Sequence, residues 1–313
     1  MLDWGATAAR FLVFAGALVL FGAAAFFGYG MAQPVANRPT LIHWPRLLLL
    51  IASAIALSGS VCWLMSEAAA LSGNPGDALN GSAVWAVVVE TQFGRVGAFR
   101  CAALVLSLIA LLTLRWRGRR PWLTQAVLGA AVVASLAWTG HGSIDSGLPG
   151  PVHRVSDVLH LLAAALWAGA LVPLCVLAVV ARQARNSASQ HALAVGLNRF
   201  SAIGISVVAV LLLSGVVNSW FLIGPAAWRS ALTTLYGRLL LIKVALFAMM
   251  VAMAAVNRVR LAPRVEGTDT ESGTAVDARA ALRTTLMTEA GLALLVLALV
   301  AVLGTLEPPI SSN

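Results

Sequence analysis

Eight apolar runs, each near the ~20 residues needed to cross a bilayer core of about 30 Å, dominate this chain. Hydrocarbon offers backbone N–H and C=O groups no partners, so runs of this length must satisfy them internally, as helices. The spans fall at about 10–31, 46–66, 95–114, 122–139, 156–181, 200–222, 235–256 and 285–304. The expected fold is an all-α polytopic membrane bundle, a single integral domain over 1–313. Composition agrees: 60% of residues are hydrophobic and 11% charged, which excludes an ordinary soluble domain. The first run follows Asp3 and Arg10 with no small-residue cleavage site behind it, so it reads as a retained helix rather than a signal peptide.

The formal charge of +9 marks orientation rather than a nucleic-acid partner. Arginines gather in alternate short loops: Arg38 and Arg46; Arg115, Arg117, Arg119 and Arg120; Arg182, Arg185 and Arg199; Arg258, Arg260, Arg264, Arg279 and Arg283. Opposite loops carry Arg154 and Arg229, with Trp85, His141, His153 and Trp228. Basic loops stay cytoplasmic, so both termini are expected outside, on the periplasmic side of a bacterial inner (plasma) membrane.

Three pieces do not span. Residues 67–94 open with SGNPGDALNG and continue as AVWAVVVETQFG, expected to lie on the membrane surface or pack over the bundle. Residues 140–155 form a Gly- and Pro-rich outer loop. Residues 262–280, with Glu266, Asp269, Glu271 and Asp277, read as a flexible cytoplasmic linker.

Chemistry concentrates between His141 and His160, which hold three of the five histidines and two aspartates. On a helix from about residue 153, His153, Asp157 and His160 fall at i, i+4 and i+7 on one face, with Trp167 one heptad further. Imidazoles and a carboxylate so aligned suit Cu(II) or Zn(II). His141 ends the preceding helix and is placed to close the site, with Asp145 as a further donor or a simple loop charge. The competing reading is an interfacial histidine pair, with Asp157 favoured by the helix dipole. Pro173 is expected to kink the helix beyond the site.

Sulfur is sparser. Cys62 and Met65 stand at i, i+3 on the second span, followed by Glu67; Met249, Met250 and Met253 cluster on the seventh. Either group would pass Cu(I), a soft ion, although methionine at helical spacing is usually packing. Cys62, Cys101 and Cys175 all sit in apolar segments without a CxxC, as small buried hydrophobes do. Glu90 lies in the outer apolar run. Lys243 is deep enough to face the bundle and pair there, whereas Arg238 and Glu289 are expected to snorkel. Cys62, Met65, Glu90, Lys243, Met249 and Met253 are the candidate transport path.

The chain resembles the bacterial copper resistance protein D (CopD) family of inner-membrane proteins. The resemblance rests on ETQFGRVGAFR (90–100), TGHG (139–142), DVLHLLAAALWAGALVPL (157–174), NRFSAIGISVVAVLLLSGVVNSW (198–220), YGRLLLIKVALFAMMVAMAAVNRVRLAP (236–263) and TEAGLALLVLALVAVLGTLEPP (288–309). It implies an eight-helix copper protein working beside a periplasmic copper-binding partner of the CopC type and moving copper inward. The family's methionine-rich outer segments are thin here, with Met65 the one obvious outer thioether.

The expected function is copper homeostasis: capture at His141, His153, Asp157 and His160, then passage across the membrane toward the cytoplasm. Two alternatives use the same residue types. One is a b-type haem electron-transfer protein with histidines facing across a bundle; His43 and His191, near cytoplasmic loops, do not provide that arrangement. The other is a copper-binding accessory subunit that transports nothing. No GxSxG, HExxH or P-loop is present, so no enzyme is expected.

Overall fold

A computed structural model describes residues 4–30, 43–139, 149–183, 187–224, 233–261, 263 and 273–306. Among these residues there are nine α-helices and no strands. They are α1 (Trp4–Ala25), α2 (His43–Ser72), α3 (Gly81–Glu90), α4 (Gln92–Thr113), α5 (Arg120–Ser135), α6 (Pro149–Gln183), α7 (Ser187–Ile223), α8 (Leu235–Val256) and α9 (Gly273–Leu303). All but α3 are long and apolar enough to cross a membrane.

Local signals fix the helix starts. Asn80 Oδ1 accepts from the Ser82 N–H at 3.2 Å, Thr91 Oγ1 from Gly94 at 2.8 Å and Thr234 Oγ1 from Gly237 at 3.2 Å. Each satisfies an N–H that the first helical turn leaves without a partner. α6 begins Pro149–Gly150–Pro151, where the missing proline N–H has no helical acceptor to lose.

Two segments extend beyond their sequence-based limits. α2 continues to Ser72 rather than ending near 66, and a 3-10 turn over Pro75–Leu79 then leads into α3. Leu64, Ala68 and Val87 pack together, so the short apolar helix lies over α2 and α4. α9 starts at Gly273, which corrects the linker expected over 262–280. Residues 273–280 are helical, because the segment TAVDARAALR is rich in strong helix formers. Residues 264–272 lie outside the described residues.

α1 is the hub of the bundle, packing against α2, α5, α6 and α9. Its crossing with α6 is close enough to require glycine on both sides. A Cβ on Gly169 would stand 2.1 Å from the Leu18 carbonyl oxygen, and one on Gly22 would stand 2.2 Å from that of Ala165. Small residues of this kind let membrane helices approach and gain dispersion contacts. The crossing anchors α6. A buried polar chain ties α2, α4 and α5 together: Ser53 Oγ lies 3.0 Å from Ser107 Oγ, which donates to Gln125 Oε1 at 2.6 Å. α7 and α8 bury the smallest share of their spans and form the periphery.

Candidate functional site

α6 and α7 run antiparallel, and the face expected to carry ligands meets α7 in three rungs. The buried ring of His153 stacks on Phe221, with centroids 4.7 Å apart and planes 10° from parallel. Asp157 Oδ1 accepts from Asn218 Nδ2 at 3.4 Å. His160 Nδ1 lies 3.0 Å from Ser214 Oγ. The i, i+4, i+7 spacing of 153, 157 and 160 is mirrored by 221, 218 and 214, so two helical faces pair residue by residue. Ser156 Oγ donates to the Ser214 carbonyl at 3.2 Å and closes the seam.

The hydroxyl of Ser214 decides the state of His160. Its single proton points to the Val210 carbonyl oxygen at 2.5 Å, leaving Oγ to act as an acceptor toward the ring. Neutral His160 therefore carries its proton on Nδ1 and donates it to Ser214, and Nε2 keeps its lone pair. A ring oriented through one nitrogen, with the other available, is the usual condition of a metal-ligating imidazole.

α8 contributes charge to the same place. Lys243, half-buried, lies within electrostatic reach of both Asp157 and His160, and Tyr236 lies within reach of Asp157. Asn218 Oδ1 is buried without a hydrogen-bond partner beside Asp157. One carboxylate, one imidazole and an unused amide oxygen meet where α6 packs on α7, with Lys243 of α8 within electrostatic reach. Among the described residues no three of His, Cys, Asp and Glu come together as a ready-made metal cage. His141 and Asp145, which would extend the donor set, lie outside the described residues.

The other candidate path residues are spread through the bundle. Cys62 is exposed and Met65 half-buried on α2, which packs on α1, α3 and α4, away from the α6–α7 seam. Glu90 is exposed at the end of α3. On α8, Met249 is exposed, Met250 buried, and Met253 half-buried against the core. Glu289 differs from the snorkelling residue anticipated. It is 1% exposed and held by Asn257, because α9 begins more than four turns before it rather than about one.

Ser214, Asn218 and Phe221 escaped the sequence reading although their own i, i+4, i+7 spacing in SGVVNSWF was visible. Serine and asparagine in an apolar run read as helix–helix glue until the facing helix is known.

Two protein-family models match the chain. The one described as copper resistance protein D-like, N-terminal domain, covers residues 1–151, and copper resistance protein D covers 194–303. Copper resistance protein D of Pseudomonas syringae pv. tomato is 34% identical over 317 residues, spanning 98% of this chain and 97% of that protein. Inner membrane protein YebZ of Escherichia coli (strain K12) is 29% identical over 311 residues, spanning 98% and 100%. Copper transport protein CutJ of Bacillus subtilis (strain 168) is 26% identical over 189 residues, 59% of this chain and 34% of that one. No solved structure matches.

Proposed function

The chain belongs to the copper resistance protein D family, and from that premise we propose that it captures copper at the Asp157–His160 seam and passes it inward across a bacterial inner membrane. The observation that carries this reading is the contact of His160 Nδ1 with Ser214 Oγ, which orients the imidazole one turn from the Asp157 carboxylate on the same helix. Nitrogen and oxygen donors suit Cu(II), and His141 and His153 complete the set as the ion enters from the periplasmic end. With arginine-rich loops cytoplasmic, both termini lie in the periplasm. In this reading the seam opens toward the periplasm, and a CopC-type carrier is the partner that delivers its ion.

Lys243 gives the empty site a neutral resting state. Its ammonium balances Asp157 until copper arrives, and the arriving cation then repels it, since like charges interact strongly in a poorly solvated interior. The chain catalyses no reaction in this scheme; copper is cargo.

Uptake of radioactive copper into proteoliposomes containing this chain alone tests the reading. Uptake by the wild type, lost in His160→Ala and in Asp157→Asn, is the expected result. Binding without uptake would assign the chain to an accessory role, and a haem Soret band in the purified protein would replace the copper reading with electron transfer. Equal uptake by wild type and both variants would overturn the site.

A further inference from the structure

A second polar network lies deeper on the helix that carries His160. Trp167 stands one heptad further along α6, 4% exposed. Its indole N–H faces the Glu289 carboxylate of α9 without completing a hydrogen bond of normal geometry. From the other side Asn257 Nδ2 donates to Glu289 Oε1, and Thr285 Oγ1 donates to Asn257 Oδ1 at 2.5 Å. Thr285 thus fixes which end of the Asn257 amide meets the carboxylate. Asn257 also opens a π-helical turn, Asn257–Leu261, and such turns inside helical stretches are frequent at functional sites.

Among the described residues, the charged and titratable groups around Glu289 leave it without a counter-ion. Cys175 on α6 is within electrostatic reach, and its thiol offers no positive charge. Lys243 on α8 is engaged with Asp157 and His160. Arg258 of the π turn is exposed and donates to the Ser201 carbonyl at 2.8 Å, and Arg260 is exposed. Arg10 on α1 lies against Gly304, at the far end of α9. Arg283 stands six residues earlier on α9, off the Glu289 face. An ionisable group kept inside a membrane bundle without a counter-charge marks an ion or proton path. Among the described residues Glu289 faces the Asn257 amide and the Trp167 indole N–H, which offer hydrogens rather than further lone pairs, and that is poor copper chemistry and good proton chemistry.

We infer that Glu289 is a proton-carrying station linked to copper occupancy at Asp157 and His160. The inference rests on copper reaching that seam. When the cation binds, the Glu289 carboxyl gives up its proton to water at the arginine-rich end and becomes a carboxylate; when the cation leaves, a proton returns. No other bond changes. The linkage is electrostatic and runs through α6, where Trp167, which faces Glu289, stands about 10 Å of helix rise from His160. Trp167 lies between them, and its N–H together with Asn257 holds the carboxylate when the proton is gone.

The test measures proton release with a pH indicator as copper is added to the purified full-length chain in weakly buffered detergent. Metal binding displaces protons from the ligands themselves, so the informative quantity is the difference between variants. Glu289→Gln is expected to bind as much copper as wild type and release about one proton fewer per ion. Glu289→Asp is expected to restore the release. Equal release from wild type and Glu289→Gln, with copper bound to both, would overturn the inference while leaving the seam intact. Undiminished copper binding by His160→Ala would overturn the seam instead, and a wild type that binds no copper would overturn both. Should Glu289→Gln fail to fold, the infrared difference spectrum of the wild type decides. Loss of a protonated-carboxyl C=O band on adding copper is expected, and a spectrum without such a change counts against the proposal.

Discussion

Arg100 and Lys243 are both basic residues inside membrane spans, and they are handled differently. Arg100, 1% exposed, donates from Nε to Ser135 Oγ at 2.9 Å and from Nη2 to the Ser135 carbonyl and Thr139 Oγ1, each at 3.4 Å. Its guanidinium lies 5.4 Å from the Trp63 ring centroid, and that of Arg10 lies 4.8 Å from the same ring. Hydroxyls, a carbonyl and an aromatic face are fixed partners, none of which takes up or loses a proton. Lys243 instead lies within electrostatic reach of Asp157 and His160, which do. Permanent partners in α1–α5 build a scaffold. Those in α6–α9 include groups that can exchange a proton, which is what the proposed function requires of them.

The comparison breaks first if the scaffold is not what holds α6 in place. Gly169→Val puts a side chain where a Cβ alone would stand 2.1 Å from the Leu18 carbonyl oxygen. Overpacking against backbone destabilises by about 1–3 kcal/mol or more, and here the larger end is expected. A fall in yield and thermal stability in detergent checks it; normal stability would mean that α1 and α6 can separate freely. Next in size is His160→Ala. Loss of a direct ligand is expected to weaken copper binding by about a hundredfold, or roughly 2.7 kcal/mol, with stability little changed. Isothermal titration measures the affinity, and thermal unfolding in detergent measures the stability.

Ser214→Ala sharpens the contrast further. It leaves the imidazole in place and removes the acceptor that fixes its tautomer, so an affinity loss of about tenfold is expected. Titration data showing no loss would mean that Ser214 does not set the ring. The smallest effect on copper affinity belongs to Arg100→Gln. A buried guanidinium replaced by a neutral amide keeps part of the Ser135 interaction, so copper affinity is expected to stay within about twofold while stability falls by about 1–3 kcal/mol. A large change in copper affinity would erase the distinction between scaffold and site.

The eight crossings were legible because hydrophobic length is written directly into the chain. Their ends were less so. The helical parts beyond the apolar runs, such as 67–72 of α2 and 273–284 of α9, mix alanine with charged and hydroxyl residues such as Glu67, Ser72, Asp277, Arg279 and Arg283, and hydropathy marks the apolar run rather than the end of the helix. That difference moved Glu289 from an expected interfacial position to a buried one. The face of α6 was legible from the spacing of His153, Asp157 and His160. What it faces was not, because pairing with Phe221, Asn218 and Ser214 depends on the antiparallel register of α6 and α7, which neither segment encodes alone. The outer sulfur pair shows the limit of spacing as a guide: Cys62 and Met65 share a helical neighbourhood, yet the cysteine points outward from α2.

X-ray absorption at the copper K edge of the purified protein tests the central claim most directly. Copper bound to the wild type is expected to show the outer-shell scattering of coordinated imidazole, and His160→Ala is expected to diminish it. A spectrum unchanged by that substitution, or one dominated by sulfur in the wild type, would place copper somewhere other than the seam between α6 and α7.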